Sequence, residues 1–273
     1  EKQIVAYKKK ISPETDIYIL LELMEKQIQE LNQKDQPSAE ENISAEKNTF
    51  NDNFSSAKKY LERDVFNGSE LSRNTFYTGC DYSEDKYVDY NSCGFVNTGK
   101  YETRSKKIEW EHVVPAHAFG QSFVEWREWN SQCVDSKGKS FSGRNCASKV
   151  NMEYRYMESD MYNLMPAIGS VNAQRSNYSM AEIPGEERNF GESDIEISDQ
   201  KFEPREEVKG DVARIYMYMD VNYPGKWIIS NKNEKLFKTW AKNDPVSSEE
   251  CNRYELVKSI QGNENVILKN QCK

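Results

Sequence analysis

A chain of 273 residues is long enough to bury a real core in one large domain or two small ones, which excludes a disulfide-dependent miniprotein. Apolar residues make up 37%, charged residues 30% and aromatic residues 12%, a balance that argues against wholesale disorder while leaving room for a polar tail. The formal net charge of −8 is spread without an acidic block, so overall charge does not drive the protein onto a polyanion, and nucleic-acid binding would need a local basic patch or a metal.

Ser12 and Pro13 supply an N-cap and a first-turn proline, and Ile17, Leu20, Leu21, Met24, Ile28 and Leu31 then recur at offsets of three and four. That spacing predicts an amphipathic helix. The stretch Asn32 to Asn48 carries almost nothing apolar and reads as a solvated linker, so residues 1–50 form a helix and linker ahead of a main domain over 51–273. The helix would dock on that domain or on a partner. No apolar run approaches the length of a membrane span; Ile17 to Leu21, for one, is only five residues.

A further helix is expected from about Ser55 through Ala57, Tyr60, Leu61 and Val65, ended by Asn67 and Gly68. Phe76 to Gly99, rich in Tyr, Asn, Ser and Gly, reads as loop. Lys106 to Val114 alternates Ile108, Trp110, His112 and Val114 on one face, the periodicity of a strand, and Pro115 ends it. The segment between Cys133 and Cys146 is a turn-rich hairpin or loop, and Met161 to Asn177, with Pro166 and Gly169, reads as a loop or turn leading into a helix. Helices are predicted over Asp211 to Tyr223, over Asn233 to Trp240, and around Leu256 and Ile260. The glycines show no G-x-G-x-x-G or P-loop spacing, so a nucleotide cofactor is not indicated.

Cys80, Cys93, Cys133, Cys146, Cys251 and Cys272 fall as three sequence-local pairs without a C-x-x-C, a pattern suited to disulfide-closed loops in an oxidising compartment. Sequence alone does not choose the pairing. Histidine chemistry is confined to His112 and His117, whose spacing does not bring both onto one ion without a turn between them, and H-E-x-x-H is absent. The notable feature is Glu111 beside His112 in an apolar strand. Buried, that pair needs a cation, a metal or solvent to compensate it; strand alternation alone would put the histidine on the core and the glutamate toward water.

Three stretches in chain order carry a resemblance: Ile108-Glu109-Trp110-Glu111-His112-Val113-Val114-Pro115-Ala116; Asn163-Leu164-Met165-Pro166-Ala167-Ile168-Gly169 with Val171-Asn172 and Arg175-Ser176-Asn177; and Ala213-Arg214-Ile215-Tyr216-Met217-Tyr218-Met219. With Thr78-Gly79-Cys80-Asp81 and Ser92-Cys93-Gly94, they resemble the bacterial endonuclease I family of periplasmic and secreted nucleases from about Phe54 to the C-terminus. The resemblance implies a mixed α/β (α+β) fold with a ββα-metal, or His-Me finger, motif, and a nuclease domain over 51–273. It implies His112 as general base, Glu111 and Asn172 as holders of one divalent cation, usually Mg²⁺, and Arg144 as a phosphate contact. Asn163 would support the site, His117 has no counterpart, and the bridges implied are Cys80–Cys93, Cys133–Cys146 and Cys251–Cys272.

The function so implied is a secreted or periplasmic, Mg²⁺-dependent, sequence-nonspecific endonuclease that cleaves DNA, with RNA left open as another substrate, to 5′-phosphate products. The acid limb of activity is then expected near the ordinary histidine value of about 6.5, shifted by the metal and Glu111. Lys106, Lys107, Arg144, Lys149 and Arg175 are the candidates for a basic cleft. The competing readings are a catalytically silent nucleic-acid- or protein-binding relative, and an interaction protein recruited through the N-terminal helix.

Overall fold

The computed structural model describes residues 46–185 and 187–272, so the helix expected over 12–31 and most of the polar stretch after it lie outside the described residues. Asn48, which by composition closes a solvated linker, is instead fully buried. Its Nδ2 donates to the carbonyls of Asn51 (2.8 Å) and Tyr156 (3.0 Å), while its Oδ1 accepts from the amides of Phe50 (3.1 Å) and Asn51 (3.2 Å). A carboxamide can serve donors and acceptors together, which is how a polar stretch comes to be packed here.

Asn53 caps α1 (Phe54–Tyr60) by accepting from the Ser56 amide, and the helix continues as a π-helical turn over Leu61–Phe66. Gly68 follows because a Cβ there would stand 2.6 Å from the carbonyl oxygen of Arg63. After a bridge-rich loop and α2 (Glu102–Ser105), strand β1 (Ile108–His112) pairs antiparallel with β2 (Leu164–Ile168), with Ile108 opposite Ile168 and His112 opposite Leu164. The strand β2 replaces the loop or turn that Pro166 suggests in the sequence. In a two-stranded ribbon the outer edge needs no ladder donor, so proline is tolerated there, and its carbonyl accepts from the Phe76 amide at 2.7 Å.

Between the two strands run α3 (Ala116–Gly120), α4 (Val124–Arg127), α5 (Arg144–Val150) and α6 (Met152–Glu158). Directly after β2 comes α7 (Gly169–Arg175). Another small sheet of β3 (Ser179–Met180), β4 (Glu196–Ser198) and β5 (Lys201–Glu203) has the order β3-β5-β4. The helix α8 (Lys209–Asn222) is buried around most of its circumference, with Val212, Ala213, Ile215, Tyr216, Tyr218 and Met219 in the core alongside the polar Lys209, Arg214 and Asn222. On it packs α9 (Asn231–Asn243) through Phe237 and Trp240. Finally α10 (Ser248–Gln261) is capped by Ser247 and stopped by Gly262 at φ 84°. Helices and strands thus mix as the resemblance implies.

The disulfides are Cys80–Cys93, Cys133–Cys146 and Cys251–Cys272. The buried Thr78 hydroxyl, close by the first of them, lies 2.6 Å from that of Thr75.

Candidate functional site

Both faces of β1 are covered, so Glu111 and His112, which alternation sends to opposite sides, are both buried, at 4% and 7% exposure. Each must therefore be satisfied from within. Glu111 Oε1 lies 3.2 Å from Arg175 Nη1 and accepts from the Tyr77 hydroxyl at 3.4 Å. Burial pushes the Glu111 carboxyl up to about 7 against the opposing pull of Arg175. His112 sits beside the Phe54 ring, centroids 4.8 Å apart, with Nε2 at 2.7 Å from the backbone carbonyl oxygen of Glu158. A carbonyl can only accept, so Nε2 carries the proton and Nδ1 the lone pair. Burial, helped by Arg144, lowers the imidazole to about 3. The ring is therefore held in its neutral form, which favours an acid limb set by a group other than the histidine.

These groups open onto a cleft of 1310 Å³ lined by β1, by Asn172 and Arg175 of α7, by Arg144 of α5, and by Phe54, Lys58 and Lys59 of α1 with Arg63 of the π-turn. Asn172 donates from Nδ2 to Glu109 Oε2 at 3.1 Å, which leaves its carbonyl oxygen for the cleft. Arg144 donates from Nε to the Glu158 carboxylate at 2.6 Å, Ser148 steadies the other oxygen at 2.8 Å, and the guanidinium lies over the Phe54 ring. Glu158 thus serves two site residues at once, its carbonyl fixing His112 and its carboxylate holding Arg144.

Of the residues singled out from sequence, His112, Glu111, Asn172 and Arg144 line this one cleft. Asn163 does not. Fully buried, it accepts from the Val114 amide at 2.7 Å and donates to the Val114 carbonyl at 3.0 Å, clamping the chain two residues past His112. His117 lies exposed on the cleft wall, 3.1 Å from the Gln121 amide nitrogen and edge-on to Trp126.

The basic lining departs from expectation. Arg175 has no exposed surface: besides Glu111 it donates to the carbonyls of His112 (3.2 Å) and Val113 (2.6 Å), so it is a buried brace and no contact for a polyanion. Lys149 bonds the Gln132 carbonyl at 2.6 Å, and Lys107 lies over the Tyr87 ring; neither they nor Lys106 line the cleft. Their place is taken by Lys58 and Lys59, which carry no ion pair among the described residues. Neither Glu158 nor the α1 lysines stand out in the sequence. Glu158 acts partly through its backbone, and the lysines are indistinguishable there from the solvated face of any amphipathic helix.

A different carboxylate cluster, Glu182, Glu203 and Glu206, surrounds Lys209, whose Nζ lies 2.9 Å from Glu182 and 2.7 Å from Glu203 and also contacts Glu206. The ammonium already supplies the counter-charge.

Comparison with known proteins gives this geometry a family. The Endonuclease I family model matches residues 41–272. The chain belongs to the endonuclease I family. It is 34% identical over 218 residues to a periplasmic deoxyribonuclease of Aeromonas hydrophila, covering 78% of this chain and 85% of the relative. It is 35% identical over 205 residues to an extracellular deoxyribonuclease of the same species, covering 72% and 82%. An endonuclease-1 of Buchnera aphidicola subsp. Baizongia pistaciae (strain Bp) is 34% identical over 242 residues, covering 86% and 89%. As a member of the endonuclease I family the protein is a nuclease, a hydrolase of a class that generally uses a divalent metal. Two of these relatives are named as periplasmic and extracellular enzymes, three disulfides fit that setting, and no described helix is long and apolar enough to cross a membrane. The protein is exported.

Proposed function

We propose that this nuclease is a Mg²⁺-dependent, sequence-nonspecific DNA endonuclease in which His112 is the general base. One observation carries the reading: His112, with Nε2 tied to the Glu158 carbonyl, stands in the same cleft as two oxygen donors, Glu111 and the Asn172 carboxamide. Its lone pair on Nδ1 is the one basic nitrogen the ring has left to accept a proton from water.

A carboxylate and an amide oxygen fit a hard cation, and a site with so few protein donors suits Mg²⁺, which keeps several waters. When bound, the cation supplies neutralisation of phosphate charge and stabilisation of the leaving 3′ oxygen. The remaining work falls to the chain itself. Arg175, paired with Glu111, holds that carboxylate and the His112 carbonyl in one frame. Arg144, its Nε fixed by Glu158, offers the rest of its guanidinium to the phosphate. Lys58 and Lys59 give a protein of net charge −8 a basic wall where the backbone would lie. Water deprotonated at Nδ1 attacks phosphorus opposite the 3′ oxygen, so the products carry 5′-phosphates. Phosphate contacts carry no base information, so cleavage has little sequence preference.

The test is nicking of supercoiled plasmid by the wild type and by His112→Ala, each with Mg²⁺ and with EDTA. Metal-dependent nicking that falls by about 10²- to 10⁴-fold in the variant is expected. Nicking by wild type that EDTA leaves untouched, or that His112→Ala retains in full, overturns the reading.

A further inference from the structure

The carboxamide of Asn172 has two ends of opposite chemistry: an oxygen that can hold a cation and an NH₂ group that repels one. Which end faces the cleft is decided by Glu109. This glutamate stands two residues before Glu111 on β1 and so on the same side of the strand. Its Oε2 accepts from Asn172 Nδ2 at 3.1 Å, and Arg104 grips it from beyond, Nε to Oε1 at 2.8 Å and Nη2 to Oε2. A two-pronged guanidinium fixes the plane of the carboxylate it holds.

Only the NH₂ end of an amide can donate to that carboxylate; a flipped Asn172 would set oxygen against oxygen. The approach is enforced from the helix side as well. A Cβ at Gly169 would stand 2.4 Å from the Arg104 carbonyl oxygen and 2.8 Å from Glu109 Oε1, so α7 starts hard against this pair and carries Asn172 past it within one turn.

We infer that Glu109, held by Arg104, is a positioning residue that turns the Asn172 carbonyl oxygen toward the cation held with Glu111. This rests on the reading of Glu111 and Asn172 as the cation's protein ligands, and it extends that site to a pair of residues with no ligand role of their own. Both oxygens of Glu109 are committed, to Arg104 and to Asn172. Partners of this kind typically contribute about 10- to 100-fold in metal affinity.

The experiment is Mn²⁺ binding to the full chain by isothermal titration calorimetry, without nucleic acid, with the melting temperature of the metal-free protein as the control for folding. Glu109→Ala is expected to weaken Mn²⁺ binding by about 10- to 100-fold, and Arg104→Ala to weaken it less, with metal-free melting little changed. The deciding arm is Asn172→Asp. A carboxylate presents an oxygen whichever way it turns, so it needs no orienting and is repelled by Glu109. In the Asn172→Asp background, Glu109→Ala should then leave Mn²⁺ affinity unchanged or tighter. If Glu109→Ala weakens binding equally in both backgrounds, Glu109 acts as a ligand or through its charge and the inference fails, while the site itself stands. If Glu111→Ala and Asn172→Ala both leave Mn²⁺ binding intact, the ligand reading fails and takes the inference with it.

Discussion

His112 and Glu158, 46 residues apart, meet at 2.7 Å through an imidazole nitrogen and a backbone carbonyl, while the Glu158 side chain reaches Arg144 at 2.6 Å. The base and the phosphate contact of the proposed mechanism are thus set by one residue through two different groups. Glu158→Gln keeps the carbonyl and weakens the charged half. Charge-assisted hydrogen bonds contribute about 1.5–3 kcal/mol when buried, and since Arg144 is partly exposed the low end applies. Single-turnover cleavage should fall about 10-fold in Glu158→Gln with Mn²⁺ affinity unchanged. A matching loss of Mn²⁺ binding would show that Glu158 supports the cation site instead.

The pH dependence should belong to the cation and not to the histidine. Burial holds His112 at about 3, so it stays unprotonated across the working range, whereas the Glu111 carboxyl, raised to about 7, is partly protonated at neutral pH when no cation is bound. Protons and metal compete for the same oxygens, and a carboxyl must lose its proton to bind. As pH falls below about 7, apparent Mg²⁺ affinity should fall roughly tenfold per unit, and raising Mg²⁺ should carry the acid limb to lower pH. Rate profiles at two Mg²⁺ concentrations tenfold apart check this. An acid limb that stays fixed near pH 6.5 would mean that His112 titrates as an exposed imidazole.

Much of this site is legible in the sequence because it is built on one short strand. The alternation of Ile108, Trp110 and His112, closed by Pro115, locates β1 and the Glu111–His112 pair. The family motifs then supply Asn172 and Arg144. What a sequence does not carry is the direction in which long side chains point. Arg175 sits one turn beyond Asn172 in a polar motif and has the character of a surface cation, yet it turns inward to two carbonyls and Glu111. Pro166 masks a strand that lies on an outer edge, where the missing N–H costs nothing. Asn48 reads as solvated because composition does not distinguish a carboxamide facing water from one that replaces water.

The basic wall predicts a salt dependence that separates Lys58 and Lys59 from the lysines that the sequence suggests. Each phosphate neutralised contributes about 0.9 to the slope of log affinity against log salt. In a His112→Ala background, where cleavage is suppressed, Lys58→Ala with Lys59→Ala should reduce that slope by about 2 for a short duplex, measured by fluorescence anisotropy. Lys149→Ala, whose ammonium is engaged by the Gln132 carbonyl outside the cleft, should leave it unchanged. Equal effects from both changes would mean that the duplex does not follow the α1 wall.

The N-terminal boundary of the catalytic unit can be placed by the groups that would be orphaned on either side of it. The Glu46 carbonyl accepts from Asn222 Nδ2 and Asn263 Nδ2, both at 2.7 Å, and Asn48 satisfies the Tyr156 carbonyl while its amide donates to the Tyr223 hydroxyl at 3.3 Å. That hydroxyl in turn donates to Asp160 at 2.7 Å, on a buried carboxylate that also receives Tyr218 and Gln261. Asp160 caps the turn that delivers the chain to β2, so the segment is wired into the scaffold of the site. Removal of residues 1–45 leaves every one of these bonds in place, and melting temperature and nicking should both be preserved. Removal of residues 1–51 strands several buried polar groups at about 1–3 kcal/mol each, and at roughly 2–4 °C per kcal/mol for a chain this size the melting temperature should fall on the order of 10 °C. If removal of 1–45 alone abolishes nicking while the fold persists, residues before Glu46 contribute to the nuclease itself, and the division between an N-terminal segment and a catalytic unit is wrong.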